Sequence, residues 1–209
     1  MTMFEMEREH IILALTKLST ELASSEPIHL RLVGGAALTL HGFDRGVTCD
    51  IDAVRFAHDR ADELTSAAGR VASQEKWPAK WFNFDVSRAD AIPALGKLVE
   101  WQPFEQIGLL EIELADISSL LAMKLRAGRP GRDTRDIELL IEACEIDAVR
   151  DAIDLYAEYF PGDEPSSRTI QLVEYIIRQN DVAEIRAFDE AINEMGPNVS
   201  FEKAFDETE

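Results

Sequence analysis

The apolar run Ile28 to Val33 ends in Gly34-Gly35, and fourteen residues beyond Ala36 the chain reads Asp50-Ile51-Asp52. These two short segments restrict the fold more than anything else in the sequence. The run reads as a strand, and two glycines behind it allow a tight turn whose bare N–H groups can approach phosphate oxygens. Ala36 to His41 is helix-compatible and stops at Gly42, so those N–H groups fall at a helix N-terminus, which favours anions. Cys49 to Val54 alternates polar and apolar, the pattern of a half-buried strand. On a strand, a spacing of two turns both carboxylates to one face, about 6.5–7 Å apart along the chain. Such a pair suits a hard divalent cation, which in turn bridges the phosphates of a nucleotide.

A second segment carries basic chemistry. Leu120-Leu121-Ala122-Met123-Lys124-Leu125-Arg126-Ala127-Gly128-Arg129 leads through Pro130-Gly131-Arg132-Asp133 to Asp136-Ile137-Glu138-Leu139-Leu140. The apolar spacing predicts two helices broken at 128–131. Five of the chain's 21 basic residues fall between Lys124 and Arg135, a concentrated positive patch in a chain of net charge −19. The plain alternative is a capped helix pair whose Lys and Arg stems lie over apolar neighbours.

Gly-Gly, a gap, then Asp-x-Asp between apolar positions resembles the signature of the nucleotidyltransferase superfamily. Gly35 stands where serine is commoner, and the gap is lengthened through Phe43-Asp44-Arg45-Gly46. The run Leu109 to Ala115, a helix start at Asp116, Met-Lys-Leu-Arg-Ala-Gly-Arg and Arg-Asp-x-x-Asp-Ile narrow the likeness to the small bacterial branch. That branch includes an uncharacterised nucleotidyltransferase family and its abortive-infection and toxin–antitoxin relatives. Trp81 to Val86 and Tyr156 to Asp163 are similar to the same family, so the likeness runs from about Ile28 to Ile177.

The resemblance implies a mechanism residue by residue. Gly34 and Gly35 would cradle the triphosphate, and Asp50 and Asp52 would coordinate Mg²⁺ or Mn²⁺. Lys124, with Arg126 and Arg132, would contact the nucleotide's phosphates. Asp136 would orient Lys124 or act as base towards the acceptor hydroxyl. For a third carboxylate the sequence offers Glu111, Glu113 and Asp85 without choosing, and its absence would favour a non-catalytic protein. The expected activity is nucleotidyl transfer from a nucleoside triphosphate to a hydroxyl of an RNA, a protein or a small molecule, in a stress, defence or toxin–antitoxin setting. The alternative is a degenerate nucleotidyltransferase fold that serves as a protein-binding or antitoxin-like regulator.

Charge bounds the acceptor. Forty Asp and Glu against 21 Lys and Arg disfavour RNA, because counterion release needs basic residues facing phosphates. The patch Arg45, Lys124, Arg126, Arg129, Arg132 and Arg135 would have to act within a Debye length of about 8–10 Å against the global field. A small-molecule or protein acceptor is easier to reconcile with it, and so is a protein partner from a toxin–antitoxin pair. No run of about 18 apolar residues occurs and Met1 to His10 is charged, so a membrane span and a signal peptide are not expected and the cytoplasm is the expected location. Cys49 and Cys144, each beside apolar residues, read as reduced core positions. His10, His41 and His58 read as ordinary helix or loop positions, and His29 as packed or at a strand edge. Trp77, Trp81 and Phe82 read as core before base-stacking groups.

The expected fold is α/β, a small mixed sheet flanked by helices and extended by C-terminal helices. Residues 1–26 form an N-terminal helix, its amphipathic part Phe4 to Ala23. The core spans 27–115, with a helix from Asp59 to Trp77 and a strand pair or one bent strand around Gly108. Residues 116–195 are helical, with turns at Pro130-Gly131 and Pro161 to Pro165, and 196–209 form an acidic tail.

Overall fold

The computed structural model describes residues 4–23, 25–57, 60–88, 91–129 and 131–180. Among these lie five strands and eight helices. In chain order they are α1 (Arg8–Thr20), β1 (Ile28–Val33), α2 (Gly34–His41), β2 (Ile51–Ala53), α3 (Ala61–Glu75), β3 (Phe82–Asn83) and α4 (Asp85–Arg88). Then follow β4 (Trp101–Ile107), β5 (Leu110–Ala115), α5 (Ile117–Ala127), α6 (Thr134–Ala143), α7 (Val149–Tyr159) and α8 (167–180). The tail 196–209, His58 and the Asp59 helix start fall outside the described residues.

The strands form one mixed sheet in the order β3-β2-β1-β5-β4. β1 lies at its centre, parallel to β5 and antiparallel to β2. Its Ile28, Leu30 and Leu32 are buried, while His29 and Arg31 pair across to Glu111 (3.0 Å) and Glu113 (2.8 Å) on β5. The alternation that buries one face of β1 thus uses the other for cross-strand polar pairs, the Arg31–Glu113 ion pair among them. β4 and β5 form a hairpin around Gly108, whose φ of +59° lies in the left-handed region.

α2 packs on β1, β2 and β5, and α1 packs on α2, α3 and β4. Ile11, Ala14, Leu15 and Leu18 are the buried face of α1. The helix is shorter than its periodicity suggests, because Met6 leaves it to form a β-bridge with Thr48. α5 packs against α6 and α7, and one contiguous apolar cluster runs from Met6 to Ile177. Trp81 and Phe82 are core residues within a chain of ring contacts from Phe4 to Phe84. No helix among the described residues is long and apolar enough to cross a membrane.

Two sequence expectations need correction. β2 spans three residues rather than six, because its pairing with β1 covers only Leu32↔Ala53 and Val33↔Asp52. Cys49 therefore lies outside the strand and is exposed, while Cys144 is half-buried; both are free thiols.

Asp116 fixes the start of α5. Its Oδ1 accepts from Ser119 N (2.9 Å), and its Oδ2 accepts from Glu100 N (2.9 Å), which ties the helix to the strand beside it. Asp116→Ala removes the cap and strands a second amide, so it should cost about 2–3 kcal/mol. A thermal melt should fall by roughly 5–10 °C, given about 2–4 °C per kcal/mol for a chain of this size. A melt within 2 °C of wild type would discard this account of Asp116.

Candidate functional site

A cleft of about 590 Å³ opens at the end of β1. Its lining is drawn from three sequence-distant segments. Gly34, Gly35 and Arg45 belong to the β1–α2 turn and the loop behind it; Asp50, Asp52, Asn83 and Asp85 lie on or beside β2 and β3; Lys124, Arg126, Arg129, Arg132 and Asp133 come from the end of α5 and the turn into α6. Aliphatic surface from Val86, Leu120 and Met123 completes part of the wall.

The first glycine is a geometric requirement. Gly34 adopts φ +68°, and a Cβ there would sit 2.8 Å from Asp52 Oδ2. Any other residue would strain the backbone and collide with the carboxylate beneath it. The turn therefore passes directly over Asp52, which joins the two halves of the motif in space.

Asp52 is held in electrostatic tension at the floor of the turn. Burial, then the nearby charge of Asp50, push its carboxyl up to about 6, although Asn83, Lys124 and Arg132 pull the other way. A buried anion beside a second anion invites a cation. Two carboxylates suit Mg²⁺ or Mn²⁺, which is held through one or two carboxylates with phosphate oxygens completing the shell.

Behind this pair runs a chain of charges that is largely buried and reaches solvent at Arg129, whose side chain is half-exposed. Lys124 Nζ donates to Asp133 Oδ1 (2.9 Å) and Asp136 Oδ2 (2.6 Å). Asp136 also accepts a two-pronged contact from Arg45, Nε to Oδ1 at 2.6 Å and Nη2 to Oδ2 at 3.1 Å. Arg129 donates to Asp133 through Nε (2.8 Å) and Nη2 (3.3 Å). Burial raises both carboxyls, but the hydrogen bonds and charges of these cations outweigh it and hold both below the ordinary value. Asp133 and Asp136 are thus fully ionised bridges between α5, α6 and the loop after α2.

The cleft gathers Gly34, Gly35, Asp50, Asp52, Lys124, Arg126 and Arg132 but not Asp136, which is almost fully buried behind Lys124. With its carboxylate committed to Arg45 and Lys124, Asp136 orients the lysine and has no path to an acceptor hydroxyl. Glu111 and Glu113 are held by His29 and Arg31 and do not line the cleft, whereas Asp85 does, paired with Lys80 at 2.7 Å. Arg135 turns instead to Glu138 (2.9 Å). Arg126 is pinned by Asp163 (2.5 Å) and lies over the Phe160 ring, so the Pro161 turn reaches the site through it.

Sequence reasoning passed over Asp133 and gave Arg45 only a place in the positive patch. A signal for Asp133 existed: Arg-Asp-x-x-Asp on one helical turn puts two carboxylates on the face that Lys124 must satisfy once buried. Arg45 left no such mark, since its partner lies 91 residues away. Comparison with protein-family models, with curated proteins and with solved structures finds no match for this chain.

Proposed function

We propose that the chain is a divalent-metal-dependent nucleotidyltransferase, moving a nucleotidyl group from a nucleoside triphosphate to a hydroxyl acceptor. One observation carries this reading: the glycine turn, Asp50 with Asp52, and Lys124 meet in a single cleft although up to 90 residues separate them. That convergence is what the resemblance to the nucleotidyltransferase superfamily requires, and a scaffold with no ligand has no use for it.

In this reading the acceptor oxygen forms its bond to the α-phosphorus as the bond to the bridging oxygen breaks and pyrophosphate leaves, the hydroxyl proton passing to solvent in the open cleft. Backbone N–H groups of the turn at the start of α2 receive phosphate oxygens. Asp50 and Asp52 would hold Mg²⁺ or Mn²⁺, which when bound supplies neutralisation of the triphosphate charge. Lys124, locked by two carboxylates, marks a fixed position for one phosphate. Arg132 is exposed on the cleft wall with its charge felt at Asp52, and would take the more mobile end of the phosphate chain. The acidic surface supports a protein or small-molecule acceptor over RNA, and the setting we favour is a defence or toxin–antitoxin module.

A second reading is a degenerate nucleotidyltransferase fold that acts as a protein-binding or antitoxin-like regulator. It is favoured by the pairing of Lys124 with two aspartates and by the commitment of Glu111 and Glu113 elsewhere. Calorimetric titration with ATP, GTP, CTP and UTP, with and without Mg²⁺, separates the two. The enzyme reading expects metal-dependent binding of at least one triphosphate, lost in Asp50→Asn/Asp52→Asn. It also expects α-phosphate label to pass from that triphosphate to an acceptor. No binding of any triphosphate leaves the regulator reading standing.

A further inference from the structure

Gly35 is unlike Gly34. Its φ is not in the left-handed region, so nothing in its backbone demands glycine. Space demands it instead: a Cβ would stand 2.8 Å from Thr48 Oγ1 and 2.9 Å from Arg45 Nη1. Neither neighbour can move aside without giving up hydrogen bonds. Thr48 is buried, donates its hydroxyl to Asp50 O (3.1 Å), and is bridged through its backbone to Met6 (2.7 and 3.0 Å). Arg45 gives Nε and Nη2 to Asp136, and Nη1 donates to Val47 O at 3.0 Å.

Arg45 nonetheless lines the cleft, with its side chain 11% exposed. Its guanidinium carries five N–H donors, and three are accounted for by Asp136 and Val47. A second Nη1 hydrogen remains on the nitrogen that touches the turn. We propose that Arg45 is a phosphate-binding residue of this cleft, its guanidinium occupying the space a side chain at position 35 would fill. The Asp136 carboxylate and the Val47 carbonyl fix the guanidinium before any ligand arrives. An oxyanion received by the N–H groups of the turn then meets a rigid planar cation, the geometry in which arginine outperforms lysine. The ligand class is the polyphosphate of a nucleotide. This rests on the reading of the cleft as a nucleoside triphosphate site.

The test is equilibrium titration of the full chain with Mg²⁺ and its preferred nucleoside triphosphate, with inorganic tripolyphosphate, and with the matching nucleoside. Wild type, Arg45→Met, Arg45→Lys, Gly35→Ala and Gly35→Ala/Arg45→Met are compared below their melting temperatures. Arg45→Met should weaken triphosphate and tripolyphosphate about 10- to 100-fold, the span expected for charge-assisted hydrogen bonds, and leave nucleoside affinity unchanged. Arg45→Lys should recover little, because lysine cannot reproduce the planar guanidinium. Gly35→Ala should weaken the same two ligands by displacing the guanidinium, and should add almost nothing once Arg45 is methionine. Equal losses for all three ligands, or polyphosphate binding that Arg45→Met leaves intact, would overturn the role of Arg45 alone. A wild-type chain that binds neither triphosphate nor tripolyphosphate would overturn it together with the nucleotidyltransferase reading.

Discussion

Asp136→Ala should lower the stability of this protein by about 3–5 kcal/mol, the cost of removing one partner from a buried charge network. Asp136 is 1% exposed and accepts from Arg45 and Lys124, whose side chains are each 11% exposed. Without it, Lys124 keeps Asp133, but Arg45 loses both prongs of its carboxylate contact and keeps the Val47 carbonyl, a neutral acceptor, for a guanidinium whose side chain is mostly buried. At about 2–4 °C per kcal/mol, the melting temperature should fall by roughly 10 °C. The comparison that isolates charge from packing is Arg45→Met/Lys124→Met/Asp136→Leu, which removes all three charges together. That variant should be more stable than Asp136→Ala, because no cation is stranded and Asp133, though it loses Lys124, keeps its two contacts from Arg129. If the triple replacement is the less stable of the two, the network's charges are net stabilising and this argument fails.

The same pair of aspartates sets the acid limit of the fold. Asp133 and Asp136 have folded-state pKa values below the unfolded 3.8, so their stabilisation is complete above that value. It is lost as pH falls through the folded values, when the unfolded chain already holds the protons. Acid unfolding of wild type should therefore be steep below pH 3.8, and shallower in the triple replacement.

What the sequence disclosed and what it hid divide along contact range. Ile28–Val33 has the predicted bounds because a six-residue apolar run closed by Gly-Gly leaves the strand no other limits. The α5 start at Asp116 and its end at Gly128 were equally legible, since a capping aspartate and a left-handed glycine are local signals. The mixed sheet was expected with the nucleotidyltransferase-like fold rather than from local signals, since strand direction is set by pairing between distant segments. Cys49 misled because the alternation begins two residues before β2 does: Thr48 is drawn away to Met6, a partner 42 residues upstream that no periodicity reveals. Glu111 and Glu113 misled for a related reason. Alternation placed them on one face correctly, but only the parallel register of β1 with β5 shows His29 and Arg31 waiting there. Asp133, Arg45 and Asp136 form a network whose members earn their roles by burial, and burial is a property of the assembled fold.

Asp52→Asn should do two opposite things, raising the stability of the metal-free protein while destroying metal-dependent nucleotide binding. Burial and Asp50 lift the Asp52 carboxyl from 3.8 to about 6. An acid whose folded pKa is raised binds more protons folded than unfolded, so stability declines as pH rises from 3.8 to about 6 and is flat above. The rise corresponds to a cost of up to about 3 kcal/mol at pH 7.5, which a neutral amide does not incur. Melts of wild type and Asp52→Asn should therefore nearly coincide near pH 4 and separate through pH 6, the variant being the more stable. Saturating Mg²⁺ with a bound triphosphate should close the gap from the wild-type side, because a ligand that binds only the folded state adds stability by mass action. On the proposed reading, the strain of two neighbouring carboxylates is what a bound cation would relieve. A gap that is independent of pH, or a variant less stable than wild type at pH 7.5, would make Asp52 a structural residue and remove the electrostatic case for metal at this cleft.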